Sequence, residues 1–172
     1  KPHIIRKNRN SVAVLSGNES KEALTALGQD VFQYYGLGCR SVSKLFVPQD
    51  YNFDLLFEAF ESYRHLIEER KYQNNYDYNK AIFLMSEFPF LDNGFVVLKE
   101  DRAFASPIGA LFFEQFDDIE SLRSRLKEEK ENIQCLVAEG FTDEEVPFGR
   151  TQYPSLTDYA DGVDTVEFLL KR

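Results

Sequence analysis

The segment 32–48 reads FQYYGLGCRSVSKLFVP and places a cysteine between a helical pattern and a strand pattern. Upstream of it, apolar residues recur at helical spacing through 18–35. Gly36 and Gly38 then interrupt the helical pattern, because glycine allows sharp turns and close approach of the backbone. An apolar run near the end of the segment is typical of a buried strand. The segment therefore predicts a helix, a tight turn that carries Cys39, and a strand.

The turn makes the thiol of Cys39 a candidate nucleophile. We expect residues 39–43 to begin a new helical turn, which would direct free amides at the sulfur. Such amides and the positive charge of Arg40 favour a thiolate over a thiol, and the same amides can hold an oxyanion. Gly36 and Gly38 would support this geometry. A free cysteine is more often a small buried hydrophobe, so spacing alone leaves both interpretations open.

The same segment resembles the nucleophile motif of the aldehyde dehydrogenase superfamily, in which Gly-Gln-x-Cys follows an aromatic-rich helix. Gly36-Leu37-Gly38-Cys39 stands at the motif itself, Lys44 at a basic position after it, and Phe46-Val47 in the strand that follows. Within the superfamily, the run Gly-Leu-Gly-Cys-Arg-Ser-Val-Ser-Lys-Leu is similar to bacterial acyl-CoA reductases related to the luminescence fatty-acid reductase.

Other passages resemble the superfamily in the same order along the chain. Residues 11–15 resemble the strand before the nucleophile helix, 106–118 a Gly-Pro-Val, strand and Phe-Asp-Asp passage, 147–149 a Pro-Phe-Gly-Gly corner, and 163–170 a closing strand. The resemblance implies an α/β fold of three layers, with a mostly parallel sheet flanked by helices.

The resemblance also implies an oxidoreductase that reduces an acyl-CoA, a fatty acyl-CoA in these relatives, to an aldehyde with NADPH or NADH. Cys39 would attack the thioester, CoA would leave as a thiolate, and hydride would reduce the enzyme-bound thioester. Hydrolytic members use a glutamate to activate water. That position falls on Ile5, and no acidic residue precedes Glu19. The glutamate that holds the nicotinamide ribose falls on Ala103, and the motif's glutamine on Leu37.

Composition predicts one ordinary globular domain spanning residues 1–172. The chain is 43% hydrophobic and 15% aromatic, enough for one core. A net charge of -9 argues against a nucleic-acid partner. Cys39 and Cys135 lack the spacing of a metal site or a disulfide framework, which predicts a cytoplasmic protein without a metal. No apolar run approaches the roughly 18 residues of a membrane span.

The sequence contains no glycine-rich phosphate-binding motif. In the superfamily a cofactor domain lies mainly upstream, so we expect a C-terminal fragment that is nearly inactive without that N-terminal domain. Expected partners are acyl-CoA, the missing cofactor domain, an acyl-transferring protein and further copies of the chain. The basic cluster 6–9 is interpreted as a solvated loop in preference to a site for the CoA phosphates.

Two alternative functions stay open. A cysteine-dependent acyltransferase or thioesterase needs a base beside Cys39, and the histidines available are His3 and His65. A non-enzymatic binding or assembly module would carry a buried cysteine. Reactivity of the thiol separates the enzymatic alternatives from the last one.

The remaining pattern predicts elements that alternate between strand and helix. Helices are expected at 52–70, with Asn52 as N-cap, at 79–87, and at 119–130 behind Asp117 or Asp118 as cap. Strands are expected at 95–99, 111–116, 133–138 and 163–170, and a surface loop at 72–79.

Overall fold

The computed structural model describes residues 3–5, 8–159 and 162–170. Six strands of this part form one sheet: β1 (Asn10–Val14), β2 (Val42–Pro48), β3 (Phe90–Asp92), β4 (Val97–Glu100), β5 (Ala110–Phe116) and β6 (Ile133–Val137). Their order is β3-β4-β5-β2-β1-β6. Every neighbouring pair is parallel except β3 with β4. The predicted mostly parallel sheet is confirmed.

The α-helices found in the described residues are α1 (Lys21–Phe32), α2 (Asp54–Phe60), α3 (Arg70–Met85), α4 (Ile119–Glu128) and α5 (Thr165–Leu170). Short 3-10 helices extend α2 over Glu61–Glu68 and follow α4 at Lys130–Asn132, whereas the segment Gln33–Gly36 after α1 is a turn with left-handed backbone. The predicted helix 52–70 is thus an α-helix that continues as a 3-10 helix. Asn52 accepts the amide of Asp54 without capping the helix, whose N-cap is Phe53.

Helices cover both faces of the sheet, which gives the predicted three layers. On one face, α1 and α2 pack on alternate residues of the central strands, such as Leu45 and Leu111. On the other face, α4 buries Leu122 and Leu126 against Val12 and Phe46, and α3 packs on the neighbouring part of the sheet. The alternation follows from the two-residue period of a strand, which sends successive side chains to opposite faces.

Polar caps set the start of α1 and α4. Ser20 accepts the amide of Ala23 at 3.2 Å, and Asp118 accepts the amide of Ser121 at 2.7 Å. Each bond satisfies an amide that the first helical turn leaves free. The predicted cap at Asp118 is confirmed.

The surface loop predicted at 72–79 is wrong, because these residues form the first half of α3. Tyr72, Tyr76 and Phe83 recur at helical spacing and are buried, but the asparagines between them hide that stripe in the sequence. Gly109 permits the close packing of α3, since a Cβ there would lie 2.7 Å from the Cα of Tyr76. The helix predicted at 79–87 is therefore the second half of a longer one.

The closing strand predicted at 163–170 is also wrong, since residues 165–170 form α5. Asp164 accepts the amide of Glu167 at 2.9 Å, which is a typical N-terminal helix contact. The apolar side chains Val166, Leu169 and Leu170 stay exposed. With a local cap and no strand beside it in the described residues, the segment adopts the helix.

A network of charged groups lies under α4. Lys44 is fully buried, and its Nζ is 3.1 Å from Oε2 of Glu114 while also donating to the carbonyl of Asp101. Arg125 of α4 donates to the same carboxylate. Burial raises the pKa of Glu114, but the hydrogen bonds from Arg125 and Lys44 outweigh this effect, so its pKa lies below the ordinary value. Glu114 thus balances the charge of the buried Lys44 and shares Arg125 with Glu129.

Replacing Glu114 with Gln is expected to lower the free energy of unfolding by about 3 kcal/mol at pH 7, because a buried Lys44 loses its counter-charge. A depressed carboxyl pKa contributes stability that is present above the unfolded-state pKa and lost as the pH falls through the folded-state pKa. The difference from wild type should therefore shrink in acid. Urea unfolding between pH 7 and pH 3 measures both effects.

The matched control is Glu120→Gln, since Glu120 pairs with Arg123 in an exposed i,i+3 contact. Its effect should stay within about 0.5 kcal/mol. Equal stability of Glu114→Gln and wild type at pH 7 would contradict the role assigned to the network.

Candidate active site

Cys39 lies in the turn between α1 and β2, at the amino-terminal edge of the sheet. Its side chain is exposed, whereas Cys135 is buried in β6. Burial raises the pKa of the Cys135 thiol, which makes it a poor nucleophile. The interpretation as a small buried hydrophobe therefore fits Cys135 and does not fit Cys39 in this structure.

The backbone around Cys39 forms a tight turn that leads directly into a strand. The amide of Ser41 donates to the carbonyl of Gly38 at 2.9 Å, and β2 begins at Val42. The helical turn predicted at 39–43 is therefore wrong. Val42 is paired with Ser11 of β1, so sheet pairing takes over too early for a helix to form, and no helix dipole acts on the sulfur.

Ser11 fixes the orientation of the turn. Its fully buried hydroxyl donates to the carbonyl of Cys39 at 2.9 Å and accepts the amide of Cys135 at 3.1 Å. The carbonyl of Cys39 thus faces the sheet. Within the described residues, the amides of Cys39 and Arg40 have no hydrogen-bond acceptor. These two amides belong to the turn itself and not to the first turn of a helix.

The backbone before the turn is left-handed at three successive residues, with φ of 55° at Tyr34, 61° at Tyr35 and 73° at Gly36. This conformation is easy for glycine, as predicted for Gly36, but costs about 1–3 kcal/mol at a bulky residue. Both tyrosines remain largely exposed, so burial of their side chains does not offset the cost. Strain of this kind is concentrated at functional sites, where the surrounding structure holds it.

Two polar side chains approach the turn at Gly38. A Cβ at Gly38 would lie 3.4 Å from Oγ of Ser41 and 3.8 Å from Nε2 of Gln152. Both of these polar atoms are buried and lack a hydrogen-bond partner in the described structure. A buried polar group without a partner costs about 1–3 kcal/mol and is rare in folded proteins. Sequence reasoning missed both residues, and no motif marks them.

Arg40 ties the turn to the segment 150–158. Its Nε donates to the carbonyl of Thr151, and its Nη2 lies 3.0 Å from Oδ2 of Asp158. The charge of Arg40, which was expected to favour a thiolate, is therefore balanced by Asp158. In the structure, Arg40 therefore holds this segment against the cysteine turn.

Asp30 of α1 holds the same segment from the other side. It is almost fully buried and accepts the amide of Gly149 at 2.6 Å and both the amide and the hydroxyl of Thr151 at 3.0 Å and 2.9 Å. Burial raises the pKa of Asp30, and these hydrogen bonds oppose the rise. Gly149 has a φ of +77° and comes so close to α1 that a Cβ would lie 3.1 Å from that of Ala26. An acid inside the apolar stripe of α1 was the available signal, and sequence reasoning did not use it.

A groove of about 710 Å³ opens beside the cysteine turn. Its apolar walls are Tyr35, Leu37, Tyr72 and Ile108, and the beginning of α3 supplies a polar rim. Leu37 is two residues from Cys39, a separation of at most about 7 Å between their Cα atoms. The end of the groove thus lies close to the thiol.

A cysteine-dependent acyltransferase or thioesterase would need a histidine base beside Cys39, and His65 gives this alternative no support. This residue lies on the 3-10 helix 61–68, where its Nδ1 is 3.2 Å from the carbonyl of Ser62 and its side chain is exposed. His3 is exposed upstream of β1. Ile5, at the position of the hydrolytic glutamate, is exposed as well.

Residues 3–5, 8–159 and 162–170 contain neither a candidate metal site nor a candidate membrane span. Among them, no three or more His, Cys, Asp or Glu side chains are arranged to hold a metal ion. Across the same ranges, no helix combines the length and the apolar character needed to cross a membrane.

Solved structures share this fold. Delta-pyrroline-5-carboxylate dehydrogenase from Mycobacterium tuberculosis matches 77% of this chain with a TM-score of 0.51 and 14% identity, and its NAD-bound form matches the same share with a TM-score of 0.50. A putative aldehyde dehydrogenase from Burkholderia cenocepacia matches 74% with a TM-score of 0.46 and 16% identity. This chain spans 30% of the first two chains and 34% of the third. No protein-family model and no curated protein matches the sequence. The chain therefore has an aldehyde dehydrogenase-like fold.

Replacing Asp30 with Ala is expected to release the segment 149–151 from α1. The amides of Gly149 and Thr151 should exchange hydrogen at least about tenfold faster, because each loses a hydrogen bond to a charged acceptor. Amide hydrogen exchange followed by mass spectrometry measures this. Glu22→Ala, on the exposed start of the same helix, is the control. If the amides of Gly149 and Thr151 exchange as slowly in Asp30→Ala as in wild type, Asp30 does not hold this segment.

Proposed function

We propose that this chain is the nucleophile-bearing domain of an NAD(P)H-dependent oxidoreductase, and specifically of an acyl-CoA reductase that forms a thioester on Cys39. The observation that carries the proposal is the site at Cys39. An exposed thiol, two free amides and two unpartnered buried polar groups lie together within an aldehyde dehydrogenase-like fold. The sequence resemblance at 36–47 supports the acyl-CoA reductase type.

In the first step the thiolate of Cys39 attacks the carbonyl carbon of the acyl-CoA thioester. A carbon–sulfur bond forms, and the carbonyl electrons move to oxygen. The free amides of Cys39 and Arg40 and the Nε2 of Gln152 are donors beside the turn that can stabilise this oxyanion. Because their positions are fixed by Ser11 and by the segment 149–158, they need no reorganisation when the charge develops.

Collapse of the oxyanion expels CoA as a thiolate, a good leaving group that needs no acid. The acyl group then stays on Cys39, where Leu37 and Tyr35 begin an apolar groove that can accept its chain. The nicotinamide, expected on an upstream domain, would supply the hydride that converts this thioester to an aldehyde and releases the Cys39 thiolate.

The site favours reduction over hydrolysis for a physical reason. Water attacks a thioester quickly only when a positioned base removes its proton. The superfamily position for that base is Ile5, and His65 makes its hydrogen bond elsewhere. An acyl group on Cys39 should therefore persist until hydride reaches it. A thioesterase or acyltransferase shares the first step and differs in the fate of the acyl group.

The test of this function is intact-mass analysis of the protein that contains this chain, after incubation with acyl-CoA thioesters of increasing chain length and no nicotinamide. A mass increment equal to the acyl group is expected in wild type and in Cys135→Ala, and no increment in Cys39→Ala. Iodoacetamide labelling checks that Cys39 is reactive in each sample. A reactive Cys39 without an adduct, or an equal adduct in Cys39→Ala, would contradict the proposal.

A second prediction concerns Gln152. Replacing it with Met keeps the side-chain volume and removes Nε2, which has no partner to lose. Stability should change little, while acylation of Cys39 should slow at least about tenfold, because single oxyanion donors contribute about 10²–10³ to rates. Gln115→Met, on β5, is the matched control. An unchanged acylation rate would remove Gln152 from the oxyanion site.

A further inference from the structure

A second cavity, of about 560 Å³, lies between α4 and the outer edge of β6. Four basic side chains line it, namely Arg9, Arg123, Lys127 and Lys130. Such a concentration is unusual in a chain with a net charge of -9. The cavity shares none of its lining residues with the groove at Leu37.

Two of the four cations already have partners. Arg123 donates to the carbonyl of Phe141 and pairs with Glu120. Lys130 pairs with Glu144 across the mouth of the cavity. These pairs hold the walls together and leave their charges largely balanced.

The other two cations are unbalanced. Nε of Arg9 is buried without a hydrogen-bond partner in the described structure, and Lys127 forms no ion pair with any of the described residues. Residues 8 and 9 form a loop, as predicted for 6–9, but the Nε of Arg9 is not solvated, and Arg6 and Lys7 lie outside the described residues. A buried guanidinium nitrogen without an acceptor is costly, and an anion in the cavity would satisfy it.

The cavity is not uniformly polar. Its apolar lining is Leu126, Ile133, Leu136 and Phe141, and Gln134 and Thr142 add polar atoms. Two carboxylates, Asp143 and Glu144, also line it, and Glu144 is the one that pairs with Lys130. Cations beside an apolar wall suit a ligand in which a phosphate is joined to a flat or aliphatic part. Arginine matches a phosphate especially well, because its planar fork can donate two parallel hydrogen bonds.

Arg9, one of the residues that line this cavity, lies at the same edge of the sheet as Cys39. Arg9 directly precedes β1, and Ser11, two residues further on, holds the carbonyl of Cys39. Consecutive Cα atoms are at most about 3.8 Å apart and neighbouring strands about 5 Å, so Arg9 and Cys39 lie within roughly 15 Å of each other. The extended arm between the phosphates and the sulfur of CoA can span that distance.

We propose that this cavity is a phosphate-binding site, in which Arg9 and Lys127 bind the phosphate groups of a phosphorylated ligand beside an apolar wall. Phosphate groups of this kind are carried both by CoA and by nicotinamide dinucleotides. Binding there needs no reaction at Cys39, so the site stands apart from the proposed chemistry.

The test is isothermal titration calorimetry on the protein that contains this chain, carrying Cys39→Ala. This protein is titrated with inorganic pyrophosphate, CoA and NADPH. Arg9→Gln and Lys127→Gln should each weaken pyrophosphate binding about tenfold, the effect of losing one hydrogen bond to a charged group. Lys21→Gln, an exposed lysine at the start of α1 that lines neither cavity, removes the same charge at a distance and should leave binding unchanged. Thermal unfolding checks that each variant is folded, which is expected because Arg9 Nε and Lys127 lose no partner.

The three probes distinguish the sources of the phosphate. If the Arg9 and Lys127 variants weaken CoA binding but not NADPH binding, the site serves the substrate, and the reverse result assigns it to the cofactor. The proposal is overturned if the Cys39→Ala protein binds none of the probes, or if Lys21→Gln weakens binding as much as Arg9→Gln. Cys39 acylation in the wild-type background is measured separately, so failure here leaves the proposed function standing.

Discussion

The site depends on one buried hydroxyl. Ser11 lies where the pairing of β1 shifts register against both of its neighbours, β2 and β6. At such an irregularity some backbone groups lose their ladder partners, and the Ser11 hydroxyl bonds two of them, the carbonyl of Cys39 and the amide of Cys135. Because a fully buried hydroxyl must find partners, Ser11 fixes three chain segments at once. The thiol of Cys39 is exposed as a consequence of how its carbonyl is held.

A second set of polar contacts holds the other side of the turn. Asp30 and Arg40 bind the backbone around Thr151 from α1 and from the cysteine turn. These contacts place Gln152 beside Gly38. The result is a cysteine turn held from two sides, which is the preorganisation that the proposed role of Cys39 requires.

Local patterns in the sequence predicted much of the fold. The apolar spacing of α1, the apolar runs of β2 and β5, and the cap at Asp118 are decided by residues close in the chain. The first half of α3 was missed because asparagines separate Tyr72 from Tyr76 and Phe83, and 165–170 was missed because an apolar run fits a strand and a helix equally. Cys39 was proposed as the nucleophile from the motif that it resembles.

The remaining site residues have no local signature. Ser11 and Cys135 are 124 residues apart, and Asp30 and Thr151 are 121 apart. Ser41 and Gln152 become candidates only because their polar atoms are buried without partners, which is a property of the packed structure. Arg9 was predicted to be solvated because it belongs to a short cluster of basic residues. In the structure it directly precedes β1, and its side chain lines a cavity.

The central claim is that an acyl group carried by Cys39 is the species that hydride reduces. The most direct measurement isolates the acylated full-length protein, adds NADPH, and follows by rapid quench the loss of acyl from the Cys39 peptide and the appearance of aldehyde. We expect both to proceed at one rate, with little loss of acyl in the absence of NADPH. Release of free acid at the same rate without NADPH, or aldehyde formation by Cys39→Ala, would contradict the account.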